Sequence, residues 1–191
     1  MSPIDNKPGN NIRLSLLAAI HLSALPLYTH VPVALLLLLL MLSIWQLYII
    51  TGSRENPGKV VQLVIIALTF ATIFYSYGHV LGKDPGIALI TVMTLLKMFE
   101  IKTSRDCYII IYSAFFIIAS SFFQSQSVWL ILYVFAILVF LTSILIALSD
   151  RRASLTLHTR LKVSARLIMF AMPIMLILFL LFPRIPGPLW G

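Results

Sequence analysis

The sequence predicts an all-α fold: a polytopic transmembrane helix bundle of about seven spans, with the N-terminus inside and the C-terminus outside. Three observations carry this. Of the 191 residues, 60% are hydrophobic and 10% are charged, where a soluble domain holds roughly a quarter charged residues. The apolar residues come in unbroken stretches close to the about 20 that a helix needs to cross the roughly 30 Å hydrocarbon core. The cations gather in the short segments between those stretches.

Seven stretches qualify or nearly do, at 12–28, 32–50, 60–77, 85–101, 107–123, 128–148 and 165–182. Unbroken apolarity argues for helices, because a barrel strand would alternate and be about half as long. The chain thus divides into an N-terminal tail at 1–11, a membrane domain at 12–182 and a Pro-rich exit segment at 183–191. Lys7 and Arg13 precede the first apolar run, but no small-x-small cleavage site follows, so the first span reads as uncleaved.

Polar punctuation sets the ends. Asp84-Pro85 reads as a cap followed by a proline in the first helical position. Thr103-Ser104-Arg105-Asp106 matches the capping-box pattern ahead of the fifth apolar run. Asn56-Pro57-Gly58 reads as a turn, and Gln124-Ser125-Gln126-Ser127 as a short polar reversal. All eight glycines lie outside span interiors, which leaves no GxxxG face; close approach falls to Ala18, Ala19, Ala119, Ser120 and Ser121. Pro26 and Pro173 should kink or end the first and seventh helices.

Loop charge sets the orientation. With the N-terminus inside, twelve of the fourteen cations lie on the cytoplasmic side, leaving only Lys83 and Arg184 outside. That bias is the usual orientation signal. Tyr28, Tyr75, Tyr77, Trp129 and Trp190 then form the outer aromatic belt, with Trp45, Tyr48 and Tyr108 toward the inner one. The fourth span is short and charged near its end; were it re-entrant, everything after it would flip. The formal charge of +8 follows from these loops and points to no nucleic-acid partner. The long basic segment at 150–166, with Arg151, Arg152, Arg160, Lys162 and Arg166, is either a solvated stop-transfer loop or an interfacial helix on anionic lipid.

Catalytic chemistry is poorly supplied. The six acids, Asp5, Glu55, Asp84, Glu100, Asp106 and Asp150, all fall in loops or near span ends, unlike the mid-membrane carboxylates of ion pumps. His21 alone is ionisable in mid-span, and reads as a neutral histidine bonded to a neighbouring helix; Gln62 reads as an interhelical contact. Cys107, the single cysteine, sits beside Asp106 with no histidine near it in sequence. The histidine spacing matches no metal motif and there is no glycine-rich phosphate loop, so neither metal nor cofactor is expected.

One stretch stands apart. Between 97 and 106 sit three cations and two anions, at the seam between the fourth and fifth apolar runs. Lys97 and Glu100 are three residues apart and share a helix face. Lys97 lies about one turn inside the interface, deep enough to need a partner or a snorkelling side chain. Asp106 can cap the fifth helix and attract Lys102 or Arg105. The segment Lys97, Glu100, Lys102, Arg105, Asp106 is therefore a docking motif: a hairpin that sets orientation, or a polar site for a lipid headgroup or a cytoplasmic partner.

These residues also carry a resemblance. Leu96-Lys97-Met98-Phe99-Glu100-Ile101-Lys102-Thr103-Ser104-Arg105-Asp106 resembles the LK-x-x-E-x-(K/R)-(T/S)-x-RD signature in the N-terminal membrane domain of bacterial TgpA-type transglutaminase-like proteins. Leu181-Phe182-Pro183-Arg184-Ile185-Pro186-Gly187-Pro188-Leu189-Trp190-Gly191 is similar to that family's FPR-x-PGPLWG exit, marked here by Pro183, Arg184, Pro186, Gly187, Pro188 and Trp190. The resemblance implies a multi-span anchor in the bacterial inner membrane. It further implies a transglutaminase-like domain beyond it, outside the membrane, carrying a Cys-His-Asp triad. Cys107 does not correspond to that nucleophile, and no triad position falls within these 191 residues. A non-catalytic anchor is thus expected, present as a fragment, as a truncated gene product or as a free-standing membrane half. The other classes are a small transporter or lipid-handling protein, and an assembly partner for other cell-envelope proteins.

Overall fold

The structure, a computed structural model, describes residues 9–52, 56–79, 82–124, 127–150 and 155–181. Those residues fold as seven α-helices: α1 (Asn10–Ala24), α2 (Val33–Gly52), α3 (Lys59–Tyr77), α4 (Lys83–Phe99), α5 (Ser104–Ser120), α6 (Val128–Ser149) and α7 (Leu157–Leu181). Short 3-10 segments, Leu25–His30 and Ser121–Phe123, extend α1 and α5. Six of the seven are long and apolar enough to cross a membrane. The exception is α4. Its 17 residues span about 26 Å at 1.5 Å per residue.

The short α4 has the most protected position. It packs against α1, α2, α3 and α5 and buries Ile87, Ala88, Val92, Leu95, Met98 and Phe99. A helix walled by protein needs less apolar surface than one facing lipid, which explains how α4 tolerates Thr91 and Thr94. Each of those hydroxyls is satisfied by its own helix, donating to Ile87 O at 2.8 Å and Ile90 O at 2.6 Å. The edges are α3, against α2 and α4, and α7, which rests on α6. Nearly every described α7 side chain is exposed; Ser164 is fully buried.

Sequence neighbours run antiparallel, and side chains tie their ends. Asn10 Nδ2 donates to Ile50 O at 3.0 Å, joining the start of α1 to the end of α2. Lys83 Nζ donates to Phe123 O at 2.8 Å, joining the start of α4 to the end of α5. The Tyr108 and Ser149 hydroxyls meet at 3.4 Å between the start of α5 and the end of α6. Two rims result, one built from the starts of α1, α3 and α5.

Several boundaries differ from those the sequence suggests. The basic segment at 150–166 is mostly helix: Thr156 caps α7 by accepting the Thr159 N–H, and Arg160, Lys162 and Arg166 lie on its first turns. Residues 151–154 lie outside the described residues. Asp84 does not cap α4. Helix α4 begins at Lys83, two residues before Pro85, behind Gly82 at φ 150°, a backbone open to glycine and strained for other residues. Asp84 instead accepts from Gln124 Nε2 at 2.8 Å across the rim. Gly86 falls within α4, but nothing lies within 4 Å of where a Cβ would stand, so it allows no close approach. Ala19, Ser120 and Ser121 are buried, whereas Ala18 and Ala119 face outward; Ala24, Ala88 and Ala114 supply further small contacts. Pro26 ends α1 as expected, starting the 3-10 segment.

Candidate functional site

The charged stretch folds as a tight hairpin with an apolar underside. Met98, Phe99 and Ile101 are buried to 1% exposure or less, and the Trp45 ring meets Phe99 edge-on at 5.5 Å. Those three residues nail the turn to the bundle. The residues between and beside them, Lys97, Glu100 and Lys102, have only the outer side left to them.

On that side Lys97 and Asp106 form a clasp. Lys97 Nζ lies 2.9 Å from Glu100 Oε2 and 3.6 Å from Asp106 Oδ1. The other oxygen of Asp106 accepts from Lys102 N at 3.1 Å, Thr103 N at 3.0 Å and Thr103 Oγ1 at 3.0 Å. The capping box of α5 is thereby formed. Asp106 thus stands at the positive end of the α5 dipole, and Lys97 at the negative end of the α4 dipole. The expected Lys97–Glu100 pair is present. The partner of the Asp106 carboxylate is Lys97 together with the backbone, while the side chains of Lys102 and Arg105 stay exposed.

The hairpin faces the turn that leads into α3. Between them lies an open cleft of about 780 Å³, lined from one side by Asn56, Lys59 and Gln62 and from the other by Lys97, Lys102 and Arg105. Gln62 does not reach another helix. It sits in the first turn of α3 and folds back, Nε2 donating to Pro57 O at 3.0 Å. Sequence reasoning missed this cleft because its walls come from segments about 40 residues apart. It also missed Arg13, which is 7% exposed and whose Nη2 donates to Asn56 Oδ1 at 3.4 Å. A cation at the very start of the first apolar run, one turn inside α1, was the available signal.

The second polar centre is His21. Ser43 Oγ donates to Leu39 O at 2.6 Å, so its lone pairs face His21 Nε2, also at 2.6 Å. The ring therefore donates from Nε2 and accepts at Nδ1 from the Tyr28 hydroxyl at 2.6 Å. This assigns a neutral ring with both nitrogens occupied. The interhelical histidine expected from sequence is what the geometry shows. Nearby, Tyr133 on α6 donates to Leu22 O at 2.5 Å.

Cys107 is fully buried at the start of α5. No group of three His, Cys, Asp or Glu that could hold a metal occurs among the described residues. The exit motif, from Pro183 through Trp190, lies outside the described residues.

No solved structure matches the chain. A curated relative, the protein-glutamine gamma-glutamyltransferase of Pseudomonas aeruginosa, is 29% identical over 176 residues, which are 92% of this chain and 26% of the relative. The chain therefore spans about a quarter of that relative's length. The family model for the TgpA N-terminal domain matches residues 15–191, taking in both the hairpin and the exit motif. The chain belongs to the TgpA N-terminal domain family.

Proposed function

We propose that the chain is the membrane-anchor portion of a TgpA-like protein, holding a transglutaminase-like domain at the outer face of the bacterial inner membrane. One observation carries this reading. The similarity takes up 92% of this chain but only 26% of a relative named as a glutamyltransferase. This reading assigns the transferase chemistry to the remainder of such a protein. The burial of Cys107 and the full engagement of His21 support that division, since neither is free to act on a substrate.

In this reading α4 crosses the membrane inside the bundle, and all seven helices span it. Residues 1–11 form a cytoplasmic tail, 12–182 the membrane domain and 183–191 the periplasmic exit. The loop cations support it, because the rim with the Lys97 hairpin is the cation-rich one. The proline-rich exit suits an extended spacer that holds a domain off the bilayer. Envelope proteins are its natural partners, and anionic lipid meets the basic start of α7.

A reporter fused after Gly191 tests the topology: it should behave as periplasmic, and a cytoplasmic signal would overturn the seven-span arrangement. Anchoring itself is tested in a full-length protein whose membrane domain is exchanged for an unrelated seven-span segment of the same orientation. Unchanged activity of the outer domain is expected. Loss of activity in a correctly localised exchange would make this domain a working partner and not an anchor.

A further inference from the structure

The cleft beside the hairpin holds more positive charge than the described residues neutralise. Lys59, Lys97, Lys102 and Arg105 line it, against Glu100 and Asp106. Both carboxylates are committed to Lys97. Lys59, Lys102 and Arg105 therefore face the cleft without an ion pair among the described residues.

A fourth cation stands behind them. Arg13 is 7% exposed, its buried Nε has no hydrogen-bond partner among the described residues, and no carboxylate of the described residues lies within ion-pair distance of it. Its Nη2 donates to Asn56, a wall of the cleft. A buried cation in this state is costly unless a counter-charge approaches it. The uncompensated positive charge on this rim thus comes from two independent sources, one exposed and one buried.

The shape narrows the anion. The cleft lies where α3 begins and α4 ends; with these helices across a bilayer as proposed above, that is the level of the headgroups. Its volume suits a small-molecule headgroup. Its lining passes from cations to the exposed apolar side chain of Ile109 on α5, a polar-to-apolar order that matches a phospholipid. Arginine and lysine are the usual phosphate partners, arginine through its planar fork of donors.

We propose that this cleft binds the phosphate of an anionic glycerophospholipid headgroup, with Lys102 and Arg105 as its direct partners, Lys59 at the rim and Arg13 compensating from behind. The proposal needs no attached outer domain, but it rests on the proposed arrangement of the helices across the bilayer.

The test uses the 191-residue chain in an uncharged detergent, titrated with short-chain phosphatidylglycerol, short-chain phosphatidylcholine or inorganic phosphate, and read by native mass spectrometry and thermal shift. Phosphatidylglycerol should bind at least about tenfold more tightly than phosphatidylcholine, and K102Q/R105Q should weaken it by about 100-fold, roughly tenfold for each charged contact removed. Displacement by inorganic phosphate would make phosphate alone sufficient. Phosphatidylglycerol binding that phosphate does not displace would assign the site to the intact lipid. Both support the proposal. The control R160Q/K162Q/R166Q, on the basic start of α7, should leave binding unchanged. Because Lys102 and Arg105 are exposed, K102Q/R105Q should match the parent in melting temperature without lipid. Unchanged affinity in K102Q/R105Q, or loss confined to the α7 variant, would overturn the proposal, as would equal binding of the two lipids.

Discussion

The His21 centre and the Lys97 hairpin are both polar islands in an apolar chain, and they are built in opposite ways. His21 lies within α1 and is closed: Tyr28, the ring, Ser43 and the Leu39 carbonyl each use the available donor or acceptor in turn. The hairpin lies at a rim and is open: one lysine holds two carboxylates while Lys59, Lys102 and Arg105 have no ion pair among the described residues. Depth explains the contrast. An unpaired polar group in hydrocarbon costs several kcal/mol, so interior polarity must be balanced within the protein. At the rim, water and headgroups complete the balance, and surplus charge is tolerated. An interaction with something outside the bundle therefore belongs at the rim and not at the histidine.

The largest effect should come from breaking the closed centre. His21→Ala removes two side-chain hydrogen bonds, one of them to α2, and leaves a cavity in place of the ring. Membrane hydrogen bonds are worth about 0.6 kcal/mol on average and up to about 1.7. With the cavity added, the loss should be about 2 kcal/mol in equilibrium unfolding from mixed micelles. His21→Leu fills the space and should cost about half as much. If His21→Ala falls below about 0.5 kcal/mol, the centre is not a structural tie, and the contrast with the hairpin fails. A transport pathway would respond differently, since even the space-filling variant would abolish it.

The two regions were not equally legible in the sequence. His21 could be read because the alternatives are few: a lone histidine in mid-span must find partners on a neighbouring helix. Its particular partners could not, because Tyr28 reaches it only after Pro26 has ended α1 and wound the next residues into a 3-10 segment. The hairpin was readable almost to the atom, since an (i, i+3) pair and a capping box are local. The cleft was not readable, because the Asn56–Lys59 wall is brought to it by the packing of α3 on α4. Gln62 misled for a related reason. A glutamine in a helix's first turn can fold back on the chain that enters the helix, here the Pro57 carbonyl, and the local bond wins over the interhelical one. The span at 165–182 came out eight residues short at its start because basic residues read as a loop, although leucines and a threonine cap suffice to extend the helix.

A smaller effect tests whether the hairpin is held chiefly by capping or by charge. Asp106→Ala exposes three donors at once, the Lys102 and Thr103 N–H groups and the Thr103 hydroxyl. The loss should be about 1 kcal/mol, in the range of a removed helix cap. Asp106→Asn retains an acceptor oxygen for those donors but drops the charge facing Lys97. It should recover more than half of the loss, because the Lys97–Asp106 pair is long at 3.6 Å and surface ion pairs contribute little. If asparagine is as damaging as alanine, charge and not capping holds the turn, and the open region resembles the closed one more than its geometry suggests.

The smallest effect is the most specific. Lys97 and Glu100 are 32% and 49% exposed, so solvent screens their attraction, and their coupling should be only about 0.3–0.5 kcal/mol, the usual value for an (i, i+3) helix pair. A double-mutant cycle of Lys97→Ala and Glu100→Ala measures it: the double variant should cost less than the sum of the singles by that amount. The singles should themselves be unequal, with Lys97→Ala the worse, because Lys97 serves two carboxylates and Glu100 one cation. Strict additivity would reject the pair outright. Coupling with equal singles would mean that Asp106 draws nothing from Lys97, leaving its carboxylate to the capping bonds alone. That outcome would also change the cleft, since an Asp106 oxygen released from Lys97 would lie beside Lys102 and Arg105 and offset part of the positive charge a phosphate needs. The Lys97–Glu100–Asp106 cycle is therefore a control on the lipid site as well as on the hairpin, and its salt dependence should follow suit, the coupling fading as ionic strength shortens the screening length.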